Sequence, residues 1–144
     1  MGEGTGESKE VFKNRMRILL VAIFMCVIVS VGDSKALGLK QYYKEPLTEV
    51  DKANIVLFNV LQGIDMLQTL EIANNDDYYE TNPILGKHPS EAHVVAYFIA
   101  RGIAHYHLTN IVPAKYRNFF HGYNIIYNYN TVKDNHELGI RIGF

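Results

Sequence analysis

Several residue types that mark familiar protein classes are scarce or missing in this chain of 144 residues. It has no tryptophan, a single cysteine and a formal net charge of −1. One cysteine, Cys26, excludes a disulfide framework and a cysteine-based metal site. A chain without an excess of basic residues lacks the electrostatic footprint of nucleic-acid binding. We therefore expect no nucleic-acid partner.

Recognisable catalytic motifs are missing as well. The chain has no Gly-x-Ser-x-Gly nucleophile element and no glycine-rich phosphate loop. Metal-binding histidine pairs usually stand four residues apart on one helical face. Here His88 and His93 are five apart, and His105 and His107 are two apart. The sequence predicts no metal, no cofactor and no catalytic residue from a known motif.

The clearest positive feature is an apolar run at residues 18–31 that follows four basic residues, Lys9, Lys13, Arg15 and Arg17. This order is typical of membrane-targeting segments. We expect residues 1–15 to be a flexible polar N-terminus and residues 16–36 to be a transmembrane anchor or a cleaved signal. A helix over the run is about 22 Å long, short of the roughly 30 Å hydrocarbon core. The anchor is favoured, and its basic flank would stay cytoplasmic.

A linker and a helical domain are expected after this segment. Residues 37–52 are predicted to be the linker, and residues 53–144 a helical domain in or against the membrane. Thr48 and Asp51 form a capping-box-like pair, which predicts a helix over Ala53–Ala73.

This first predicted helix carries two different faces. On a helical wheel most of the apolar residues share one face: Val56, Leu57, Val60, Leu61, Ile64, Leu67 and Leu70. The other face carries the polar residues Asn59, Gln62, Asp65 and Thr69, with a few apolar side chains among them. Two environments produce such a pattern: an amphipathic helix wetted on one side, or a membrane helix whose polar residues face a protein interior. In the membrane, Asp65 should find a partner, with Gln62, Gln68 and Thr69 as candidates on the same helix.

A second helix is predicted over Ser90–Val112, with Ser90 as N-cap and Pro113 ending it. Small residues recur every four positions along it and form an alanine ridge: Ala92, Ala96, Ala100 and Ala104. Such a ridge lets another backbone approach closely. We expect it to be a packing surface, with a ligand groove as the alternative.

A third helix is predicted from Lys115 onward, because aromatic and apolar residues follow helical spacing from Tyr116 to Asn130. The tail after His136 alternates Leu138, Ile140, Ile142 and Phe144 with other residues, which predicts a short strand or extended arm. A hairpin between residues 123–132 and this tail is the alternative. The fold class expected is all-α: an N-terminal membrane helix, a compact three-helix region and an extended C-terminal tail.

Three short elements lie along the chain after the predicted linker: Asp65-x-x-x-Thr69, Glu80-x-Asn82-Pro83 and Asn135-x-x-x-Gly139. With these elements the chain resembles small, uncharacterised bacterial membrane proteins of the DUF5658 type. The Glu-Thr-Asn-Pro turn is the most specific of them, and the resemblance covers most of residues 59–144. It implies a short, helix-rich, membrane-associated bacterial protein, and it carries no activity over.

These observations lead to alternative functions. The favoured one is a non-enzymatic accessory or structural subunit of a bacterial envelope assembly, in contact with membrane lipid and with a protein partner or another copy. In it, Asp65 and Thr69 form a polar seam between helices, and Glu80, Asn82 and Pro83 fix the turn into the second helix. The second is a membrane or periplasmic enzyme or ligand-binding protein that uses Asp65, Glu80 and His88.

The expected location depends on whether the N-terminal apolar segment is retained or cleaved. A retained anchor places the protein in the bacterial inner membrane, with its N-terminus in the cytoplasm. Cleavage of the segment would release a periplasmic protein or a secreted soluble helical domain.

Overall fold

The computed structural model describes residues 45–140 and residue 142. This part of the chain forms three helices, α1 (Glu49–Ala73), α2 (Glu91–Ile111) and α3 (Ala114–Glu137), and no strand. The all-α prediction is confirmed for it. The predicted flexible N-terminus and the predicted anchor at residues 16–36 lie outside the described residues.

The start of α1 is fixed by the predicted capping box. The Asp51 backbone N–H donates to Thr48 Oγ1 at 3.1 Å, and the Thr48 N–H donates to Asp51 Oδ2 at 2.9 Å. These bonds satisfy two groups that an uncapped helix leaves open. Because the cap acts at Thr48, the helix begins at Glu49, and the predicted linker boundary at residue 52 was wrong by four residues.

Helix α2 begins and ends where the sequence predicted. The Ser90 hydroxyl accepts a hydrogen bond from the His93 N–H at 3.3 Å, as an N-cap should. Val112 then adopts an extended conformation before Pro113, which opens α3. The turn between α2 and α3 is therefore short, and the two helices run antiparallel.

The C-terminal end of α3 differs from the prediction. Residues 123–132 lie inside α3, so the hairpin alternative was wrong. The Ile140 N–H donates to Asn135 O and the Gly139 N–H to His136 O, each at 3.0 Å, with Gly139 at φ 87°. This pair of bonds is the Schellman arrangement that ends a helix at a glycine. The strand predicted for the tail is therefore wrong as far as Ile140: the apolar residues flank a helix stop.

Helix α1 lies at the centre of the bundle and packs against both other helices, whereas α2 and α3 contact each other over a short stretch. An apolar core fills one end between α1, α2 and the connecting loop. Its buried members are Met66, Leu70, Leu85, Val94 and Phe98. The loop between α1 and α2 closes over this end and brings the Glu80 turn onto it.

The distribution of polar and apolar residues in the described bundle is inverted relative to a water-soluble protein. Twelve polar or charged residues are buried against nine hydrophobic ones, and fifteen large hydrophobic residues are exposed. Asn59, Gln62 and Asp65 face inward on α1, while Val56 and Val60 face outward. The alternative in which water wets the polar face of α1, and Asp65 with it, was therefore wrong. In water, each outward apolar side chain forgoes up to roughly 1.5–3 kcal/mol.

Helix α3 repeats this arrangement. Its aromatic face, predicted from the spacing, points outward, with Phe119 79% and Tyr123 66% exposed. Its inward face carries Arg117, His121 and Asn128. Among the described helices, α1 is long and apolar enough to cross a bilayer by length and composition.

Candidate functional site

A cavity of about 680 Å³ opens between the three helices at the end covered by the α1–α2 loop. All three elements of the resemblance meet there. Asp65 and Thr69 line it from α1, the Glu80-Thr81-Asn82-Pro83 turn lines it from the loop, and Asn135 lines it from α3. A Cβ at Gly139 would come within 3.6 Å of the hydroxyl of Tyr78, another lining residue. Segments 70 residues apart in sequence thus form one wall.

Asp65 has a partner, as a buried carboxylate requires. An Arg101 Nη1 from α2 lies 3.7 Å from Asp65 Oδ2, and the same guanidinium donates to Asn128 Oδ1 of α3 at 2.6 Å. Arg101 therefore links all three helices at the floor of the cavity. The partner was sought on α1 itself and was missed. The signal was present, because Asp65 and Arg101 are each the lone charge in a long uncharged stretch.

Glu80 and Asn82 bond to backbone at the turn, as predicted. The Asn82 N–H donates to Glu80 Oε1 at 2.8 Å, and the Ile84 N–H donates to Asn82 Oδ1 at 3.0 Å. The Glu80 N–H closes the loop by donating to Lys87 O at 2.9 Å. Gly86, at φ 74°, supplies a backbone conformation that other residues rarely adopt. The turn is therefore rigid, and it holds the Glu80 carboxylate at the cavity.

Thr69 is buried, with 2% exposure, and lines the cavity. Other helical threonines here donate to the carbonyl four residues back: Thr109 to His105 O at 2.8 Å and Thr131 to Tyr127 O at 3.1 Å. The Thr69 hydroxyl makes no such bond within residues 45–140. It is left available to a group in the cavity.

Towards the middle of the bundle the interior stays polar. His105 stacks on Phe58 with ring centroids 3.6 Å apart and lies 4.9 Å from the Phe120 centroid. Gln62 and both ring nitrogens of His105 are buried and have no hydrogen-bond partner among the residues that the structure describes. Burial of polar groups without hydrogen-bond partners costs free energy in a protein core.

At the end of the bundle opposite the cavity, a cluster of charged residues is buried away from the surroundings. Arg117 is 1% exposed, and its Nη1 lies 3.3 Å from Asp51 Oδ2. The guanidinium also donates to three backbone carbonyls, those of Glu45, Pro46 and Val112, at 2.9–3.0 Å. His121 Nε2 lies 3.5 Å from Asp51 Oδ1. The cluster joins the segment before α1 to the α2–α3 turn.

Two predicted groups lie away from the cavity. His88 is exposed and is not among the lining residues, so a site of Asp65, Glu80 and His88 is not assembled. The alanine ridge points outward: Ala92, Ala96, Ala100 and Ala104 are all exposed. Within the described residues no group of three His, Cys, Asp or Glu side chains could hold a metal ion.

No protein-family model, curated protein or solved structure matches this chain. The DUF5658-type resemblance stays a prediction that rests on its three short elements.

Proposed function

We propose that this protein is a non-enzymatic subunit of a bacterial envelope membrane, with its three-helix bundle embedded in the bilayer. The observation that carries the proposal is the inverted bundle, with polar side chains inside and apolar side chains outside. In lipid the outward apolar residues are solvated by hydrocarbon, and the inward polar residues pair within the protein. The helices measure about 31–38 Å at 25, 21 and 24 residues, long enough for the roughly 30 Å core.

The placement of charge supports the same proposal. Residues 53–70, 92–112 and 118–132 contain two formal charges, Asp65 and Arg101, and these lie 3.7 Å apart. The remaining charges of the helices stand near their ends. Asp51 and Arg117 are buried there and pair with each other, and headgroups and water would solvate the others. Among the described helices, α1 has the length and composition of a span. For α2 and α3 the proposal rests on their length and on the placement of charge.

The alanine ridge of α2 supports a protein partner or a second copy of this chain. Its four alanines face away from α1 and let another helix approach closely. Anchoring by residues 16–36 and a cytoplasmic N-terminus belong to the same proposal.

The test is co-purification after gentle detergent extraction and crosslinking. The variant Ala96→Leu/Ala100→Leu should lose the crosslinked species while the protein stays helical and in the membrane fraction. Ala53→Leu, at an exposed alanine of α1, is the matched control and should keep it. A wild-type monomer that crosslinks to nothing would contradict the proposal.

A ligand-binding membrane protein is the second candidate function. The cavity favours it, because Asp65, Thr69, Glu80 and Asn82 converge on a space of a size typical of ligand sites. Substituting Thr69→Val removes the available hydroxyl while it keeps the volume of the side chain. If Thr69→Val accumulates normally but fails to restore function in cells that lack the wild-type protein, a ligand-binding site is favoured. Unchanged function would favour the purely structural role.

A further inference from the structure

The cavity wall carries an excess of negative charge. Among the described residues, four carboxylates line it, from Asp65, Asp77, Glu80 and Asp134, against one guanidinium, that of Arg101. Arg101 is engaged by Asp65 and Asn128. The other three carboxylates form no ion pair within residues 45–140. A ligand that enters this space meets unbalanced negative charge, which favours a cation.

Aromatic faces accompany these carboxylates. Tyr78, Tyr79, Tyr97, Phe98 and Tyr127 all line the cavity. Two of the chain's own cations approach these rings only to the outer limit of cation–π contact: the Arg101 Cζ lies 5.8 Å from the Tyr127 ring centroid, and the Lys87 Nζ lies 6.0 Å from that of Tyr79. Aromatic rings beside carboxylates are the usual recognition elements for ammonium groups.

The lining distinguishes an organic cation from a metal ion. No described cluster of three metal-ligating side chains exists, and the buried wall is apolar at Ile72, Leu85, Phe98 and Ile140. Alkyl substituents of an organic cation would contact that wall. The buried Thr69 hydroxyl, without a partner in the described chain, adds an independent acceptor inside the cavity.

We propose that the cavity binds an organic ammonium group, held by Asp77, Glu80 and Asp134 and by the faces of Tyr79 and Tyr127. This inference rests on the ligand-binding function. The ammonium belongs either to a soluble amine or to the headgroup of a lipid such as phosphatidylethanolamine. With the bundle embedded in the bilayer, the end that carries the α1–α2 loop and the cavity lies at headgroup depth, so either source can reach it.

The test uses the full chain in nonionic detergent, titrated calorimetrically with choline, with ethanolamine and with 3,3-dimethylbutanol, the uncharged isostere of choline. We expect an ammonium to bind and the isostere not to. Retention of phosphatidylethanolamine over phosphatidylglycerol, measured by native mass spectrometry, identifies a lipid source, and binding of soluble amines alone identifies a free one.

Matched variants assign the binding to the cavity. Asp77→Asn/Asp134→Asn changes two exposed carboxylates of the rim and should weaken binding about tenfold, as two exposed charge pairs would. Asp76→Asn/Glu137→Gln changes two exposed carboxylates outside the lining and should have no effect. Tyr127→Leu should weaken binding about two- to fivefold, and Tyr127→Phe should not.

Two results would overturn the proposal. Equal binding of the uncharged isostere or of acetate would reject ammonium recognition while leaving a ligand site. No binding of any ammonium up to millimolar concentration would reject it as well, and the membrane-subunit proposal would be untouched.

Discussion

One Asp–Arg pair closes one end of this bundle, and a second lies on the floor of the cavity that opens at the other end. The pairs differ in what else their guanidinium contacts. Arg117 bonds Asp51 and three backbone carbonyls and is closed to its surroundings. Arg101 lies 3.7 Å from Asp65, bonds one amide oxygen and borders an open cavity, with its side chain 22% exposed. The same two residue types therefore build a structural lock at one end and the floor of a site at the other. What decides between these two roles is whether the N–H donors of the guanidinium are all engaged by protein groups.

The largest expected effect is at the closed pair. Arg117→Met should lower the free energy of unfolding by about 3–5 kcal/mol, because it leaves Asp51 buried without its cation and three carbonyls without a donor. Arg117→Lys should recover little, since an ammonium cannot match the geometry of the guanidinium fork. Chemical unfolding in detergent, followed by helical circular dichroism, measures both. A loss below 1 kcal/mol would show that this cluster is not a lock.

The open pair should tolerate substitution better. Asp65→Asn should cost about 1–2 kcal/mol, because Arg101 keeps Asn128 and the cavity lets water solvate the guanidinium. A cycle with Arg101→Gln measures the coupling directly. A cost equal to that of Arg117→Met would erase the distinction between the two ends.

The smallest expected effect separates the stability contributed by the Thr48 helix cap from that contributed by the Arg117 ion cluster. Thr48→Ala removes the hydroxyl that accepts from the Asp51 N–H, and about 1 kcal/mol should be lost. Thr48→Ser keeps the hydroxyl and serves as the control in the same unfolding measurement. If Thr48→Ala costs as much as Arg117→Met, Asp51 depends on its cap rather than on Arg117.

Local sequence signals mark where the helices start, but they do not show which face of a helix is buried. Thr48 with Asp51, and Ser90 before Glu91, are capping signals within one turn, and both helices begin there. The end of α3 was misread because Leu138 and Ile140 alternate around Gly139, a pattern that a strand and a Schellman stop share.

Helical spacing shows which side chains share a face, but not which face is inside. For α1 it placed Asn59, Gln62 and Asp65 together, and only packing against α2 and α3 shows that this face is buried. The cavity could not be predicted for a similar reason. Asp65, Glu80 and Asn135 are brought together by the loop and by the antiparallel order of the helices, which no local pattern encodes.

The central claim, that the apolar faces contact lipid, is tested most directly with a spin label at Val60, which is 43% exposed on the outward face of α1. The full chain would carry Cys26→Ser and Val60→Cys and be reconstituted in vesicles. Collision rates with oxygen and with a water-soluble nickel chelate then report the surroundings. At Val60→Cys we predict high oxygen and low nickel accessibility, whereas a label at Lys52→Cys, in the first turn of α1, should be accessible to nickel. High nickel accessibility at position 60 would place this face in water and contradict the account.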